Sequence, residues 1–551
     1  MNDHLINLKE DFEYLLNAPI TSESVFLEWI KKASSLLDSV QELITISYIN
    51  YQCNIEGVQE NKAFTDSQEK LKPLYQEYKS KIDNKLIQHN DYLKDDHFNY
   101  LKDRISNSTS LVNGENSSLI TECDQLIAEY FSLQGRMKVN WEGETIQVQE
   151  LIGMLYDESR SIRERAYSLI SKSYEEKEEE FQLIMDKLIS LRDRIAKKAG
   201  FSNYRDYMFS YYERLDYSYK DCEEMAEAIR SEVVPFIDHL NRRRKDSLKV
   251  YSLKPWDTRV TGNENKLNVP YHDTNEMLKV SEELLEKLDP SFSNLFRMMK
   301  ESDKFDLLTK AGKAPGGFCE LLPQSKTSFI MLNLANTKDD LPIFLHEMGH
   351  AIHHDLIKDI TIHHYKQLPM ETAEFAAMSI ELLTLDTWRA LYNSEEELLL
   401  VKRELFQQIL DFLPITVVVD QFQHWMYTNP HHSHSERNNK FKELVALYDT
   451  SIINWTGTEK WKEIQWMDII HIFETPFYFI EYAIAQVAAL QLYKKYKQNP
   501  EQTLTRFKKA LALGSSKQIK EVYEEAGIEF NVSKENIREV MTLIREEIAM
   551  P

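Results

Sequence analysis

The chain has 551 residues, a formal net charge of −23 at pH 7 and 42% hydrophobic residues. This length allows a large buried core, and so strong a negative charge disfavours nucleic acid and anionic membranes as partners. The four cysteines form no Cys-x-x-Cys pair, which argues against a zinc ribbon, a thioredoxin-like redox site or a disulfide framework. With 14 glycines and 15 prolines, the composition favours helix over sheet.

The N-terminal sequence is acidic and amphipathic, unlike a secretory signal peptide. The longest apolar run, Phe412–Val419, is too short to cross a bilayer. These features predict a cytoplasmic protein that binds neither membranes nor nucleic acid. The oligomeric state is left open.

Residues 1–190 are predicted to form an N-terminal helical region, because apolar residues recur there at spacings of three and four. A small hairpin near residues 138–149 is the expected exception, since apolar residues alternate on both sides of Glu142 and Gly143. The remaining residues, 191–551, are predicted to contain the candidate functional site.

Two further elements precede that site. A continuous helical pattern predicts one long helix over residues 161–199, ended by Gly200. The stretch SFIMLNLANT, residues 328–337, is the strongest strand candidate because its side chains alternate between two faces. The loop GKAPGGF, residues 312–318, has neither the lysine-serine ending of a phosphate-binding loop nor a dinucleotide fingerprint.

A helix is predicted in the stretch KDDLPIFLHEMGHAIHH, which follows the strand. Asp339 and Asp340 can cap the N–H groups of its first turn, where Pro342 is well tolerated. His346 and His350 then lie one turn apart on a shared face. Two imidazole nitrogens in this arrangement can each reach a zinc ion at about 2.0–2.1 Å.

Glu347 is rotated away from the two histidines, so it would lie beside a bound metal ion. From there it can take a proton from water held by the metal. The alternative is an amphipathic helix with surface histidines. The longer pattern HExxHxxGxxH is excluded, because His353 and Leu356 occupy its glycine and third-histidine positions. His353 lies near the same face, but three ligands on one straight helix converge poorly on one ion.

A second helix, beginning at Pro369 in PMETAEFAAMSIELLTLD, offers a third ligand. Glu371, Glu374 and Glu381 fall on one face by the 3.6-residue period, among small and apolar residues. Buried carboxylates are costly without a partner, and a zinc ion would supply one. A solvated acidic stripe is the alternative, and the period alone does not choose between the three glutamates.

The stretch HIFETPFYFIEYAIAQVAALQLY contains a second candidate set. Tyr478 and Tyr482 are one turn apart, with His471 ahead of them, and their O–H and N–H groups could stabilise an oxyanion. An aromatic core helix with buried hydroxyls is the alternative. The histidines of PHHSHSER, residues 430–437, are interpreted as loop histidines, with substrate contact as their alternative role.

Four segments, in this order, resemble the thimet oligopeptidase and oligoendopeptidase F family of zinc metallopeptidases. They are GKAPGGFCE, SFIMLNLANTKDDLPIFLHEMGHAIHH, METAEFAAMSIE and HIFETPFYFIEYAIAQ, which together cover residues 312–486. The resemblance implies a mostly α fold, in which two helical lobes enclose a deep substrate channel and a small β-sheet lies beside the zinc-binding helix.

The resemblance also implies a role for each matching residue. The implied ligands of one zinc ion are His346, His350 and Glu374. The implied catalytic residues are Glu347 as general base, and His471, Tyr478 and Tyr482 as groups that bind substrate and stabilise the oxyanion. Ala377 stands where the family pattern has serine, and Met378 stands where many related zinc proteases have an aspartate that orients a histidine. Glu381 or Glu371 is therefore expected to orient a histidine.

These expectations describe a zinc-dependent oligoendopeptidase that hydrolyses internal bonds of short unstructured peptides. The strand over residues 328–337 would offer its edge to the substrate. An exopeptidase, either a carboxypeptidase or a dipeptidyl carboxypeptidase, would need a group that binds a terminal carboxylate. A peptide-binding protein without catalysis is a further alternative, although it would have no need of Glu347. Manganese or cobalt could replace zinc.

Overall fold

Helices make up most of the chain in the computed structural model, which describes residues 2–93, 98–111, 116–260, 269–392 and 394–549. The first half contains α1 (Asn2–Asn17), α2 (Glu23–Cys53), α3 (Val58–Asp66), α4 (Lys72–Gln88), α5 (Asn99–Leu111), α6 (Ser117–Arg136), α7 (Leu151–Met154), α8 (Arg160–Glu176), α9 (Glu178–Lys198), α10 (Tyr204–Tyr211), α11 (Tyr219–Glu232) and α12 (Val234–Ser247). The second half contains α13 (Thr274–Leu288), α14 (Pro290–Glu301), α15 (Asp340–Ile357), α16 (Met370–Thr384), α17 (Glu395–Thr428), α18 (His434–Tyr448), α19 (Glu459–Ile464), α20 (Ile470–Phe473), α21 (Phe479–Gln498), α22 (Pro500–Leu511), α23 (Ile519–Ala526) and α24 (Lys534–Glu547). The strands are β1 (Lys138–Trp141), β2 (Glu144–Gln147), β3 (Phe305–Leu308), β4 (Phe318–Leu322) and β5 (Thr327–Leu334). The predicted mostly α fold with small sheets is confirmed.

Two compact units divide the chain, and each combines three separate stretches. The first unit consists of Met1–Thr109, Leu267–Leu398 and Ala485–Phe530. The second consists of Ser110–Lys266, Leu399–Ile484 and Asn531–Pro551. The predicted regions, 1–190 and 191–551, are each continuous in sequence, so neither coincides with one of these units. The boundary between the two regions stays a prediction.

The predicted hairpin is present in the second unit as the antiparallel pair β1–β2, in which Trp141 pairs with Glu144. Glu142 and Gly143 form its turn with φ angles of 55° and 95°, as tight hairpin turns require. The long helix predicted over residues 161–199 is present as two helices, α8 and α9, which are separated at Lys177. Three glutamates in the first turn of α9 favour a new helix start there, because acidic groups stabilise a helix N-terminus.

The three-stranded sheet of the first unit confirms the predicted strand and corrects its proposed role. β5 lies in the centre, parallel to β3 on one side and antiparallel to β4 on the other. Ile330 and Met331 of β5 pair with strands on both sides, so this part of the strand has no free edge for a peptide, contrary to the expectation. Helix α15 packs against β5 and β4, so the small sheet lies beside the helix that carries the two histidines, as predicted.

The segment between α15 and α16 is held by the N-terminal helices of the same unit. Its Ile362 and Tyr365 join the apolar core built by α1, α2, α4 and α5. Nδ1 of His363 lies 2.7 Å from Oδ1 of Asp38, and Nε2 of His364 lies 2.6 Å from Oδ1 of Asp83. All four of these polar side chains are buried. The N-terminal helices thereby fix the connection between α15 and α16.

Helix α17 is, by length and composition alone, apolar enough to cross a membrane, the only such helix among the described residues. Of its most apolar stretch, 56% is buried inside the protein, as in the core helix of a globular fold. Asp420, Gln423 and His424 of this helix are buried polar residues. The helix is therefore weak support for a membrane span.

Candidate metal centre

Three predicted metal ligands meet in the first unit. His346 and His350 lie one turn apart on α15, and Glu374 lies on α16. One donor atom from each residue lies within 4.8 Å of the other two, and Nε2 of His346 lies 3.5 Å from Oε2 of Glu374. Of the three glutamates that the helical period left open, Glu374 is the one in this group of converging donor atoms.

The two helices come this close because their contact is made by small residues. A Cβ atom placed on Gly349 would lie 2.5 Å from the Cα atom of Ala377 and 3.1 Å from the carbonyl oxygen of Ala376. Both neighbours are backbone atoms, which cannot move aside as a flexible side chain can. Gly349 therefore permits the close approach of α15 and α16. Its neighbour Ala377 is the residue that stands in place of serine in the sequence pattern described above.

Glu381 orients His346. Its Oε1 atom lies 2.7 Å from Nδ1 of His346, so the carboxylate accepts the Nδ1 proton, and a metal ion would bind Nε2 in place of the second ring proton. Burial alone would lower the pKa of His346, but the hydrogen bond to Glu381 and the charges of Glu381, Glu374 and Glu347 raise that pKa to about 9. The carboxylates that stabilise this positive charge would equally stabilise a bound cation.

Glu347, next to His346 in the sequence, is also buried, with 8% of its surface exposed. Burial raises the pKa of its carboxyl to about 7, although the charge of His346 acts in the opposite direction. Its Oε2 atom has no hydrogen-bond partner among the described residues. An unsatisfied buried oxygen of this kind would be satisfied by a polar ligand such as water.

The donor set fits a zinc ion. A tetrahedral zinc ion with ligands at about 2.0–2.2 Å separates its donor atoms by about 3.4 Å, close to the spacing between His346 and Glu374. Two imidazoles and one carboxylate form a known type of catalytic zinc site, in which the fourth position stays open.

The nearby histidines of α15 have other partners. His353 is not in the group of converging donors, and burial lowers its pKa to about 3. Nδ1 of His354 lies 2.9 Å from the hydroxyl oxygen of Ser328 on β5. Neither predicted capping residue caps α15 through its side chain. Asp339 makes no such hydrogen bond, and the carboxylate of Asp340 instead accepts hydrogen bonds from the backbone N–H groups of Ala335 and Asn336.

The second predicted set belongs to the second unit. The ring centres of His471 and Tyr478 are 5.7 Å apart, those of His471 and Tyr482 are 6.0 Å apart, and those of the two tyrosines are 5.2 Å apart. Burial lowers the pKa of His471, which favours its neutral form. The three residues therefore form one cluster that can present O–H and N–H groups. Their roles stay predictions.

The backbone beside this cluster is fixed by residues that the sequence analysis did not identify. Phe477 has a φ of 68°, a conformation that costs a non-glycine residue about 1–3 kcal/mol. Its N–H group donates to Oε1 of Gln423 at 2.7 Å, and its carbonyl accepts from Arg214 at 2.6 Å. Arg214 also forms a buried ion pair with Glu481 at 2.7 Å. Arg214 is 263 residues away in sequence, so no local pattern could have indicated this contact.

The histidines of PHHSHSER have structural contacts. The ring of His432 lies 4.7 Å from that of Trp425, and Nε2 of His434 lies 2.7 Å from Oδ2 of Asp186. His434 is the first residue of α18, which Ser433 caps. His432 lies in a loop as predicted, whereas His434 belongs to a helix, and contact of these histidines with a substrate stays a prediction.

Known proteins resemble the chain in both sequence and fold. The sequence model of Peptidase family M3 matches residues 153–542, which is more than half of the chain. An oligoendopeptidase F homolog of Mycoplasma genitalium is 25% identical over 322 residues, which are 55% of this chain and 50% of that protein. One from Lactococcus lactis subsp. lactis is 22% identical over 394 residues, which are 68% of this chain and 61% of that protein. The matched part therefore spans about half to three fifths of these relatives.

A solved structure, PZ peptidase A with inhibitor 2, has a TM-score of 0.88 to this chain at 24% identity. The alignment covers 99% of this chain and 97% of that chain. At such low identity the likeness shows the fold alone, but it extends over nearly the whole length of both chains.

Proposed function

From the premise that this chain belongs to Peptidase family M3, we propose that it is a zinc-dependent oligoendopeptidase that hydrolyses internal bonds of short unstructured peptides. One observation carries the proposal. The donor atoms of His346, His350 and Glu374 converge within 4.8 Å, and Glu347, whose side chain is buried, lies beside the first of these ligands in sequence.

The proposed mechanism assigns separate tasks to the metal and to Glu347. Held by His346, His350 and Glu374, zinc would polarise the substrate carbonyl and lower the pKa of water. Glu347 accepts a proton from the attacking water and later delivers it to the nitrogen of the leaving amine. Glu381 keeps His346 in the tautomer that offers Nε2 as a ligand.

His471, Tyr478 and Tyr482 are proposed to stabilise the oxyanion and to bind the substrate backbone. Their clustering and their polar ring atoms support this role, as does their match to the family pattern. The relatives named oligoendopeptidase F support short peptides as the substrate class.

Cleavage of a short peptide with an internally quenched fluorophore, blocked at both ends, tests the proposal. Wild type, Glu347→Ala and the isosteric Glu347→Gln are compared, and zinc is measured in all three. We expect wild type to cleave internally and both variants to keep zinc while losing nearly all activity. Chelation should also abolish wild-type activity, and added zinc should restore it.

Other results would replace the proposal with a named alternative. Cleavage of free-ended peptides alone would indicate an exopeptidase. Failure of the wild type to bind metal, together with peptide binding without cleavage, would indicate a peptide-binding protein. Full activity in Glu347→Gln would remove Glu347 from the mechanism.

A further inference from the structure

A second group of metal-binding side chains lies in the second unit, outside the residues of the proposed catalytic site. We infer that Cys222, Asp420 and His424 form a separate site for a divalent transition ion, with zinc as the expected occupant. Cys222 lies on α11, and Asp420 and His424 lie one turn apart on α17. Their donor atoms all lie within 4.8 Å of one another.

The contact between Asp420 and His424 is close but lacks hydrogen-bond geometry. Nε2 of His424 lies 2.9 Å from Oδ2 of Asp420. Even so, neither ring nitrogen of His424 has a hydrogen-bond partner among the described residues, and Oδ1 of Asp420 has none either. The exposed fractions are 6% for His424 and 0% for Asp420, so water cannot readily satisfy these atoms. A cation between the converging lone pairs would satisfy them.

The charge balance of the site favours a divalent ion. Among the described residues, Asp420 has no ion pair with a lysine or an arginine, which leaves its buried carboxylate without a permanent cation. Metal binding would release the thiol proton of Cys222 to solvent. The thiolate, the carboxylate and the neutral imidazole would then balance two positive charges, which makes the occupied site electrically neutral.

The surroundings favour a structural ion. The ring centres of Phe477, Phe209 and Tyr219 lie 5.4, 6.0 and 6.3 Å from that of His424. Cys222 has 1% of its surface exposed and forms no disulfide. A peptide cannot reach donors enclosed in this way, whereas an ion enclosed there would join α11 to α17. Low polarity around the ion would also strengthen its attraction to the charged donors.

Cobalt(II) distinguishes this site from the catalytic one. A thiolate bound to cobalt gives a near-ultraviolet charge-transfer band, which histidine and carboxylate ligands do not give. The full chain would be produced with Co²⁺ as the supplied transition metal, and its cobalt content and absorption spectrum would be measured. We expect about two cobalt ions per chain together with the thiolate band.

Substitutions then assign the band to its residue. Cys222→Ser should abolish the band and lower the cobalt content by about one ion per chain. The matched control is Cys123→Ser, because Cys123 is also buried in a helix of the second unit but belongs to no candidate donor group among the described residues. This control should keep both signals. His350→Ala should lose about one ion but keep the band, since it changes only the catalytic donors.

Two results would overturn the inference: a wild-type protein without the thiolate band, or a band that survives Cys222→Ser. His424→Gln and Asp420→Asn test the other two donors if Cys222→Ser does not fold by circular dichroism. Each should lower the cobalt content by about one ion, and unchanged content in both would also contradict the inference. Because metal content and absorption are the readouts, failure of the peptidase assay has no effect on this test.

Discussion

Nδ1 of His346 on α15 lies 2.7 Å from Oε1 of Glu381 on α16. This carboxylate fixes both the tautomer and the direction of the ring, so that Nε2 lies 3.5 Å from Oε2 of Glu374. Helix α16 therefore supplies one proposed metal ligand directly and also orients a second ligand on the neighbouring helix.

Glu381→Gln should weaken zinc binding by about 10- to 100-fold, because the amide is a poorer acceptor for the Nδ1 proton. Competition between the protein and a zinc-binding dye measures this loss. Glu371→Gln is the informative comparison, since Glu371 was the other candidate for the orienting role. A large loss of affinity in Glu371→Gln, with none in Glu381→Gln, would contradict the assignment.

Gly349→Ala should force α15 and α16 apart, because the new methyl group would lie 2.5 Å from the Cα atom of Ala377. We expect the free energy of unfolding to fall by about 1–3 kcal/mol and zinc to be lost at lower chelator concentration. Urea unfolding and chelator titration measure the two effects.

Gly135→Ala is the matched control for this substitution. Gly135 also lies in a helix, α6, but an added Cβ atom would meet nothing within 4 Å. This change should leave zinc binding intact and should stabilise the protein slightly, since alanine is the better helix former. Equal destabilisation by both substitutions would show that the contact with Ala377 is not the cause.

Tyr478→Phe and Tyr482→Phe identify the main oxyanion donor. Loss of one such donor should lower kcat by about 10²- to 10³-fold, with a smaller change in KM. The variant with the larger loss of kcat marks the principal donor. Tyr207→Phe is the control, because Tyr207 is a buried tyrosine of the second unit that stacks on Tyr204. If neither tyrosine affects kcat, the aromatic cluster is structural.

Asp257 should contribute to stability in a pH-dependent way. Burial alone would raise its pKa, but hydrogen bonds from Arg160, from the backbone of Lys254 and from Arg163 lower it below the usual value. A lowered pKa in the folded state means that the contribution is fully present above the unfolded pKa of about 3.9. It is lost as the pH falls below that value, through the folded pKa.

Asp257→Asn removes this contribution at neutral pH and leaves Arg163, which is 2% exposed, without its charged partner. The free energy of unfolding should fall by about 3–5 kcal/mol, with a smaller difference from wild type in strong acid. Urea unfolding over a range of pH measures this. Lys172→Gln, which breaks an exposed pair with Glu176, should change stability very little. A difference from wild type that does not depend on pH would contradict the prediction.

Local spacing was sufficient to predict part of the site. His346, Glu347 and His350 belong to one helix, whose period brings the histidines to a common face. Glu374 could not be chosen by spacing, because its selection depends on the packing of Gly349 against Ala377 on another helix. The central position of β5 in its sheet could not be predicted either, because the order of the strands depends on partner strands from other parts of the chain. The hydrogen bond from Arg214 to the carbonyl of Phe477 could not be predicted for a similar reason, because it joins two residues that are far apart in the sequence and share no sequence motif.

The division of the first unit into three stretches has a consequence for synthesis. Arg104, near the end of the first stretch, donates a hydrogen bond at 3.0 Å to the carbonyl of Ser515, 411 residues later. At about 5–20 residues per second, a ribosome needs about 20–80 s to connect these two positions. For about the first 13–52 s of that interval, until Ile362 and Tyr365 have been synthesised, the N-terminal helices expose the apolar surfaces that later pack against these two residues. The first unit is incomplete until its third stretch, Ala485–Phe530, has been synthesised, which makes the nascent chain a candidate client for chaperones.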